Sequence, residues 1–160
     1  VPVITDNTSW EKDTNGACCS YNNEPAKTKI YGLLYNGFAI MNSRNLAPEG
    51  WHIPSDQEWN TLVDYLGGEK EAGGKLKGTA NTYWYENVGA TNESGFTALP
   101  GGYRDATGFF DWLGLRTFIA SSTEWGPKAV WFRDLQNLNP WVNRAHFTEN
   151  AGLSVRCIKD

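Results

Sequence analysis

The chain has 160 residues, a formal charge of −4 and 14 basic residues scattered along its length. Such a length forms one ordinary domain that buries roughly 70% of its unfolded surface, and scattered charge offers no basic patch for nucleic acid. No apolar run approaches the roughly 20 residues of a membrane span, and 14% aromatic residues argue against disorder. We therefore expect one domain over 1–160, and the start at Val1 without Met indicates an N-terminally truncated or excised module of a larger protein.

The first 40 residues give weak signals. Asn, Asp, Thr and Ser dominate 1–29, which predicts loop with one short strand. The segment 30–40 is apolar and aromatic, and its periodicity leaves both a buried strand and a short helix open.

Three cysteines lie near the two ends of the chain, Cys18, Cys19 and Cys157. The adjacent pair lacks the two-residue gap of a zinc knuckle. The favoured interpretation is one disulfide between the two ends plus a spare thiol, which would indicate an oxidising compartment. Free buried thiols are the alternative.

The segment 51–68 carries the clearest helix signal. Ser55 and Glu58 have the spacing of a capping box, in which each side chain accepts from the other residue's backbone N–H. An apolar face at i, i+3, i+4 and i+7 follows, formed by Trp59, Leu62, Val63 and Leu66. Gly67 supplies the left-handed stop.

The rest of the chain predicts few helices and several strands. One helical turn is expected at 72–77, and then a long irregular loop with isolated aromatic residues. Strands are predicted at 117–125 and 128–135, with Ala129, Trp131 and Arg133 on one face, and at the alternating C-terminal segment 152–160. Helices in the first half and strands in the second, without βαβ alternation, predict an α+β fold.

Six segments together resemble the Fibrobacter succinogenes major paralogous domain family. They are Y-G-L-L-Y-N (31–36), L-A-P-E-G-W-H-I-P-S-D-Q-E-W (46–59), G-A-T-N-E-S-G-F-T-A-L-P-G-G-Y-R-D (89–105), S-S-T-E (121–124), W-F-R (131–133) and S-V-R-C-I-K-D (154–160). Domains of this family occur in secreted proteins and lipoproteins of Fibrobacter and Bacteroidetes-type bacteria. The resemblance therefore implies an extracytoplasmic protein, secreted or at the cell surface.

The I-P-S-D-Q-E-W segment is also similar to the L-P-T-E-A-E-W of the formylglycine-generating (sulfatase-modifying) family. That similarity implies a C-type-lectin-like fold, with a small twisted antiparallel sheet and two helices that support a long irregular loop region at 78–125. Many relatives have Cys where this chain has Ala47, facing the last cysteine. The resemblance thus leaves Cys19 or Cys18 as the candidate partner of Cys157.

No set of residues predicts an enzyme. Formylglycine-generating enzymes use two cysteines near the C-terminus, where this chain has only Cys157. His52 and His146 are the only histidines, and no G-x-S-x-G elbow is present. Coincidental carboxylate pairs are expected among 18 acidic residues. We expect no catalytic residues.

The loop aromatics favour a non-catalytic carbohydrate-binding module of an extracytoplasmic bacterial protein. Trp and Tyr bordered by Asn or Arg suit the flat C–H faces and hydroxyl edges of sugars in a polysaccharide or glycan. The predicted ligand-binding residues are Trp84, Tyr85, Trp112, Trp125, Asn139, Trp141, Asn143 and Arg144. The competing interpretation is that each loop Trp only fixes its loop; Trp51 and Trp131 are interpreted as core.

Two alternatives remain open. A protein-binding, adhesin-like display domain on the same fold would carry diversified residues at 131–150 and bind a surface protein. The main interpretation requires no cofactor. The alternative is a calcium site that would use oxygen ligands from Asn92, Glu93, Asp105 or Glu124. Arg104 and Asp105 are interpreted as fixing their loop.

Overall fold

The computed structural model describes residues 1–42, 46–80 and 82–160. Its helices are α1 (Asn7–Lys12), α2 (Pro25–Tyr31), α3 (Gly37–Ile40), α4 (Asp56–Tyr65) and α5 (Ala72–Leu76), with a 3₁₀ turn at Tyr21–Asn23. Its strands are β1 (Cys18–Cys19), β2 (Leu34–Asn36), β3 (Trp51–His52), β4 (Gly101–Arg104), β5 (Phe110–Leu113), β6 (Arg116–Glu124), β7 (Ala129–Gln136), β8 (Val142–Thr148), β9 (Gly152–Ser154) and β10 (Ile158–Lys159).

One mostly antiparallel sheet organises the domain. Its strand order is β1-β2-β9-β4-β6-β7-β8, and β5 pairs with β4. Among the described pairings between named strands, the short β4–β6 and β6–β9 contacts are parallel, and β3 pairs with β10 in a separate ribbon. The predicted α+β class is confirmed. Within the described residues, however, the sheet has eight strands and the helices number five, more than the small sheet and two helices expected.

Strands β6 and β7 lie between two hydrophobic clusters, one on each face of the sheet. On one face α4 and α5 pack through a cluster that contains Trp59, Val63, Leu76, Ile119, Leu135 and Val142. On the other face a second cluster contains Ile40, Ile53, Phe118, Val130, Phe132 and Leu153. The predicted strands at 117–125 and 128–135 are confirmed as β6 and β7.

Helix α4 forms as predicted. The Glu58 N–H donates to Ser55 Oγ at 3.2 Å, and the Ser55 N–H donates to Glu58 Oε2 at 2.8 Å. Gly67 has a φ of +102°, and the Gly68 N–H donates to the Val63 carbonyl at 2.9 Å, which closes the helix. The predicted turn at 72–77 is confirmed as α5. A Cβ added at its Gly73 would lie 2.2 Å from the Trp141 carbonyl oxygen, so only glycine permits this close packing.

The N-terminal segment is more helical than predicted. Asp6 caps α1 by accepting from the Ser9 N–H at 2.8 Å, and Trp10 is buried, with its Nε1 donating to the Asn150 carbonyl at 2.8 Å. α1 and α2 have six and seven residues, too short for a periodic apolar face to show in the sequence. The segment 30–40 contains both open alternatives, strand β2 and helix α3.

Two buried cations fix the long loops. The Arg104 guanidinium donates to the carbonyls of Ile4 and Thr5 at 2.7 and 3.0 Å and lies 4.3 Å from the Trp10 ring centre. The Lys77 ammonium donates to the carbonyls of Val88, Gln136 and Asn139 at 2.9, 2.9 and 3.0 Å. Burial lowers the pKa of Lys77 to about 8. These contacts explain how a loop with so little regular structure stays ordered.

Three expectations fail in the fold. The loop predicted over 78–125 is interrupted by β4 and β5, and the C-terminal strand is split into β9 and β10 because the chain leaves the main sheet to pair with β3. Cys18, Cys19 and Cys157 are all free, so the expected disulfide is wrong. Burial raises the pKa of the Cys19 thiol to about 11. The cysteines therefore give no argument about the redox compartment.

No helix in the described ranges has the length and apolar character needed to cross a membrane.

Candidate functional site

The structure separates the predicted ligand-binding residues into several places. Trp84 is only 3% exposed, and its Nε1 donates to the Ala98 carbonyl at 3.2 Å. It belongs to the α4 side of the core, which fits the competing interpretation of a Trp that fixes its loop. The neighbouring Tyr85 is exposed, but it lies against Gly114 in the turn between β5 and β6.

Asn139 and Trp141 lie in the turn between β7 and β8. Asn139 Oδ1 accepts from the Trp141 N–H at 3.0 Å, so this side chain holds the turn. The Trp141 ring is exposed, while its backbone packs on α5. Trp141 is therefore an exposed aromatic ring that lies apart from the other predicted ligand-binding residues.

Trp112 and Asn143 contact the two members of one ion pair, Arg116 and Asp134. The Arg116 guanidinium lies 5.1 Å from the Trp112 ring centre and pairs with Asp134, whose Oδ2 also accepts from Asn143 Nδ2 at 3.1 Å. Successive residues of a strand point to opposite faces. Asn143 therefore faces away from Arg144, and the two do not share a site.

Trp125 and Arg144 come together with two residues that were not predicted to bind a ligand. Trp131 and His146 are directly paired across β7 and β8 and share one face of the sheet with Arg144. The Trp125 ring stacks on the His146 ring with centres 3.5 Å apart and planes 3° from parallel. The Trp131 ring stands at 87° to that of Trp125, with centres 6.2 Å apart. We call these four residues the β7–β8 aromatic cluster.

A structured turn brings Trp125 over β8. The register of β6 with β7 shifts between Ala120 and Glu124, and the Trp125 N–H then donates to the Ala129 carbonyl at 2.9 Å. Gly126 has a φ of +91°, which glycine adopts without strain. The turn returns the chain so that Trp125 stacks on β8, and the ring remains 44% exposed.

Arg144 is held in place from two sides. Its guanidinium carbon lies 3.4 Å from the Trp131 ring centre, and its Nη2 donates to Asp56 Oδ2 at 2.8 Å. Asp56, the first residue of α4, also accepts from the buried Arg133 at 2.8 Å. Burial opposes ionisation of Asp56, but the hydrogen bonds from Arg144 and Arg133 outweigh it and lower its pKa. The cluster therefore contains a charged donor with a fixed orientation.

Trp51 and Trp131 differ from their interpretation as core. Trp51 is exposed in β3, and Trp131 is half-buried on the open part of the β7–β8 face. The predicted alternation of β7 had already placed Trp131 and Arg133 on one face. Strand β8 was not predicted, although its exposed residues Arg144, His146 and Thr148 alternate at every second position.

Of the residues considered for calcium, Asn92 and Asp105 hold their own loops. Asn92 Oδ1 accepts from the Thr97 N–H at 2.8 Å, and Asp105 Oδ1 accepts from the Thr107 N–H at 2.8 Å. Glu93 approaches Lys75 at 3.9 Å. Across the described residues, no group of three or more His, Cys, Asp or Glu side chains converges on a metal position.

Comparison with known proteins identifies the family. The family model described as the Fibrobacter succinogenes major domain matches residues 2–159. The chain belongs to this family. Both α4 and the β7–β8 aromatic cluster lie within the matched Fibrobacter succinogenes major domain. Neither the search of curated proteins nor the search of solved structures found a match.

Proposed function

We propose that this Fibrobacter succinogenes major domain is a non-catalytic carbohydrate-binding module that works outside the cytoplasm, with a C-type-lectin-like fold. One observation carries the proposal: the Trp125–His146 stack is open to solvent beside a guanidinium whose position is fixed. The family resemblance, with its secreted and lipoprotein members, supports the location. The likeness of the 53–59 segment to the formylglycine-generating family supports the lectin-like fold.

The exposed face of Trp125 suits a pyranose ring. Its other face already rests on His146, so the indole is held parallel to that ring and loses little freedom on binding. Sugar C–H groups would pack on the open face, since an aromatic ring presents a large apolar surface. This arrangement provides the platform of the site.

Arg144 provides a hydrogen-bond donor at the edge of the platform. Its contacts to Asp56 and Trp131 fix the guanidinium before a ligand arrives, and its side chain is still 37% exposed. A guanidinium presents five N–H donors, of which those not used by Asp56 can bind sugar hydroxyls. A shallow site with one platform predicts affinities in the micromolar to millimolar range, about −8 to −4 kcal/mol.

The test is binding to a panel of plant and host polysaccharides, measured by affinity electrophoresis and then by isothermal titration. We expect the protein to bind at least one member, and Trp125→Ala to lower that affinity by about 10-fold or more, equivalent to about 1.4 kcal/mol. Trp112→Ala is the matched control, because Trp112 is 38% exposed but lies with the Arg116–Asp134 network. Absence of binding to every polysaccharide, or equal loss in both variants, would refute the proposal.

The edge strand favours a second candidate, a protein-binding display domain. β8 ends the strand order of the main sheet. The Val142 N–H donates to the Glu69 carbonyl, on the side away from β7. By alternation, the amides of Arg144, His146 and Thr148 point to the same outer side, where an extended segment of a protein could add as a strand.

One variant separates the two candidates. Thr148→Pro removes an outward N–H that the ladder to β7 does not use, and proline is tolerated on the free side of edge strands. If a surface protein binds by adding a strand to β8, this change should abolish its binding and leave polysaccharide binding intact. Retained capture would exclude strand addition.

A further inference from the structure

A cavity lies far from the β7–β8 aromatic cluster. It has a volume of about 280 Å³ and is lined by Lys27, Tyr31, Tyr83, Tyr85, Leu113 and Gly114, among others. We call it the tyrosine pocket. Asn137, which follows the end of β7, donates to the Tyr85 carbonyl, whereas Trp131 lies near the start of that strand. Six residues of strand separate these positions by about 20 Å.

Three phenol groups converge in the tyrosine pocket. The rings of Tyr31 and Tyr83 meet edge to face with centres 5.9 Å apart. Burial raises the pKa of Tyr31, and the proximity of the Tyr83 and Tyr85 hydroxyls raises it further. Among the residues that the structure describes, none forms a hydrogen bond with these three hydroxyls. They are therefore able to serve a ligand.

The walls of the pocket are fixed. The Tyr85 N–H donates to the Gly114 carbonyl at 2.8 Å, and a Cβ at Gly114 would lie 2.7 Å from the Tyr85 ring. Gly114 has a φ of +80°, so both its conformation and its lack of a side chain allow the ring to lie there. Beside it, Trp84 is buried and bonded to the Ala98 carbonyl. Little reorganisation is needed for binding.

The charge of the pocket selects for an anion. Lys27 precedes Tyr31 by four residues on α2, so the two side chains lie on the same side of that helix. Within the described part of the pocket lining, Lys27 is the only charged residue. An ammonium beside three phenol donors and acceptors matches a ligand that has both a carboxylate and hydroxyl groups.

We propose that the tyrosine pocket is a second binding site, which takes a single sugar unit carrying a carboxylate, such as a uronic acid. Its volume of about 280 Å³ is just below the range for drug-sized ligands, which fits one such unit. The carboxylate pairs with Lys27, the sugar hydroxyls bond to the phenols, and a C–H face packs on a tyrosine ring. The site is independent of Trp125 and does not rest on binding at the aromatic cluster.

The test is a titration of the protein with galacturonic acid, followed by NMR of ¹³C-labelled tyrosine rings. Galactose and acetate serve as probes of the sugar and of the charge alone. We expect galacturonate to shift the signals of Tyr31, Tyr83 and Tyr85, but not that of the exposed Tyr65 on α4. We also expect it to bind about 10-fold more tightly than either probe, as one added charged contact allows.

Three variants test the assignment. Lys27→Gln should weaken galacturonate binding by about 10-fold, whereas Lys29→Gln, an exposed control on the same helix, should not change it. Tyr83→Phe should weaken binding by about 3-fold through loss of one hydroxyl. Unshifted tyrosine signals would overturn the proposal. So would equal affinity for acetate, equal affinity for galactose, or equal effects of the two lysine variants. Because the shifts are read at the tyrosine rings, Trp125→Ala should lower polysaccharide binding without changing the shifts of Tyr31, Tyr83 and Tyr85.

Discussion

Asp56→Asn should destabilise the domain and weaken ligand binding at the β7–β8 aromatic cluster. The Asp56 carboxylate accepts from Arg133 Nη1 at 2.8 Å and from Arg144 Nη2 at 2.8 Å, and its backbone N–H donates to Thr123 Oγ1 at 3.0 Å. It thereby joins α4 to strands β6, β7 and β8. Asparagine keeps the shape of the side chain but removes the charge that both guanidinium groups share.

The expected magnitude follows from the burial of the two arginines. Arg133 is 1% exposed, and removing the partner of such a buried charge costs about 3–5 kcal/mol. Arg133 keeps two other acceptors, Asn60 Oδ1 at 2.6 Å and the Asp56 backbone carbonyl at 3.1 Å. We therefore expect a loss of about 3 kcal/mol, the lower end of that range. Arg144→Ala should cost less than about 1 kcal/mol, because its ion pair is partly solvated.

The assay is urea unfolding followed by tryptophan fluorescence, with the m-value checked for each variant. The pH dependence supplies a second readout. Because the folded-state pKa of Asp56 is lowered, its stabilisation is present above the unfolded value and is lost as the pH falls through the folded one. Asp56→Asn should lack this acid sensitivity. A loss below about 0.5 kcal/mol for Asp56→Asn, the range of surface substitutions, or a larger loss for Arg144→Ala, would refute the reasoning.

Three further predictions concern the scaffold. Lys77→Met should destabilise the fold by about 2 kcal/mol in urea unfolding, because three backbone carbonyls lose the charged donor of the buried Lys77; an unchanged midpoint would contradict this. Hydrogen bonds with Asp160 and Glu58 raise the pKa of His52. The stabilisation that protonated His52 gives the fold is therefore complete below about pH 6.5 and is lost as the pH rises through the folded-state pKa. NMR titration of the His52 ring checks it, and a value at or below 6.5 would be inconsistent with the contact geometry. Gly73→Ala should cost about 1–3 kcal/mol, since the new Cβ collides with the Trp141 carbonyl; thermal unfolding measures it, and an unchanged midpoint would show that the backbone contact is looser.

Local signals in the sequence predicted the elements whose causes are local. The Ser55–Glu58 capping box and the Gly67 stop define α4 within a few residues, because both depend on bonds between near neighbours in the chain. Strands β4 and β5 could not be found in this way. The 101–104 segment contains two glycines and becomes a strand only through pairing with β5, β6 and β9.

In the candidate site, too, local features could be predicted from the sequence and tertiary contacts could not. Trp84 and Trp125 both lie in polar, glycine-containing stretches, yet one is core and the other is an exposed platform. What separates them is tertiary: Trp84 packs beneath Lys77 and Trp125 meets His146 across the sheet. No spacing along the chain predicts either contact, whereas the exposed alternation of β8 would have indicated His146.

The most direct measurement of the central claim is the set of indole N–H signals in a ¹⁵N–¹H NMR spectrum, recorded while a bound polysaccharide fragment is added. The eight tryptophans provide eight reporters in one experiment. If the β7–β8 aromatic cluster binds carbohydrate, the signals of Trp125 and Trp131 shift with a common dissociation constant while that of the buried Trp10 stays in place. Shifts confined to Trp112 or Trp141, with Trp125 unchanged at saturation, would contradict the account.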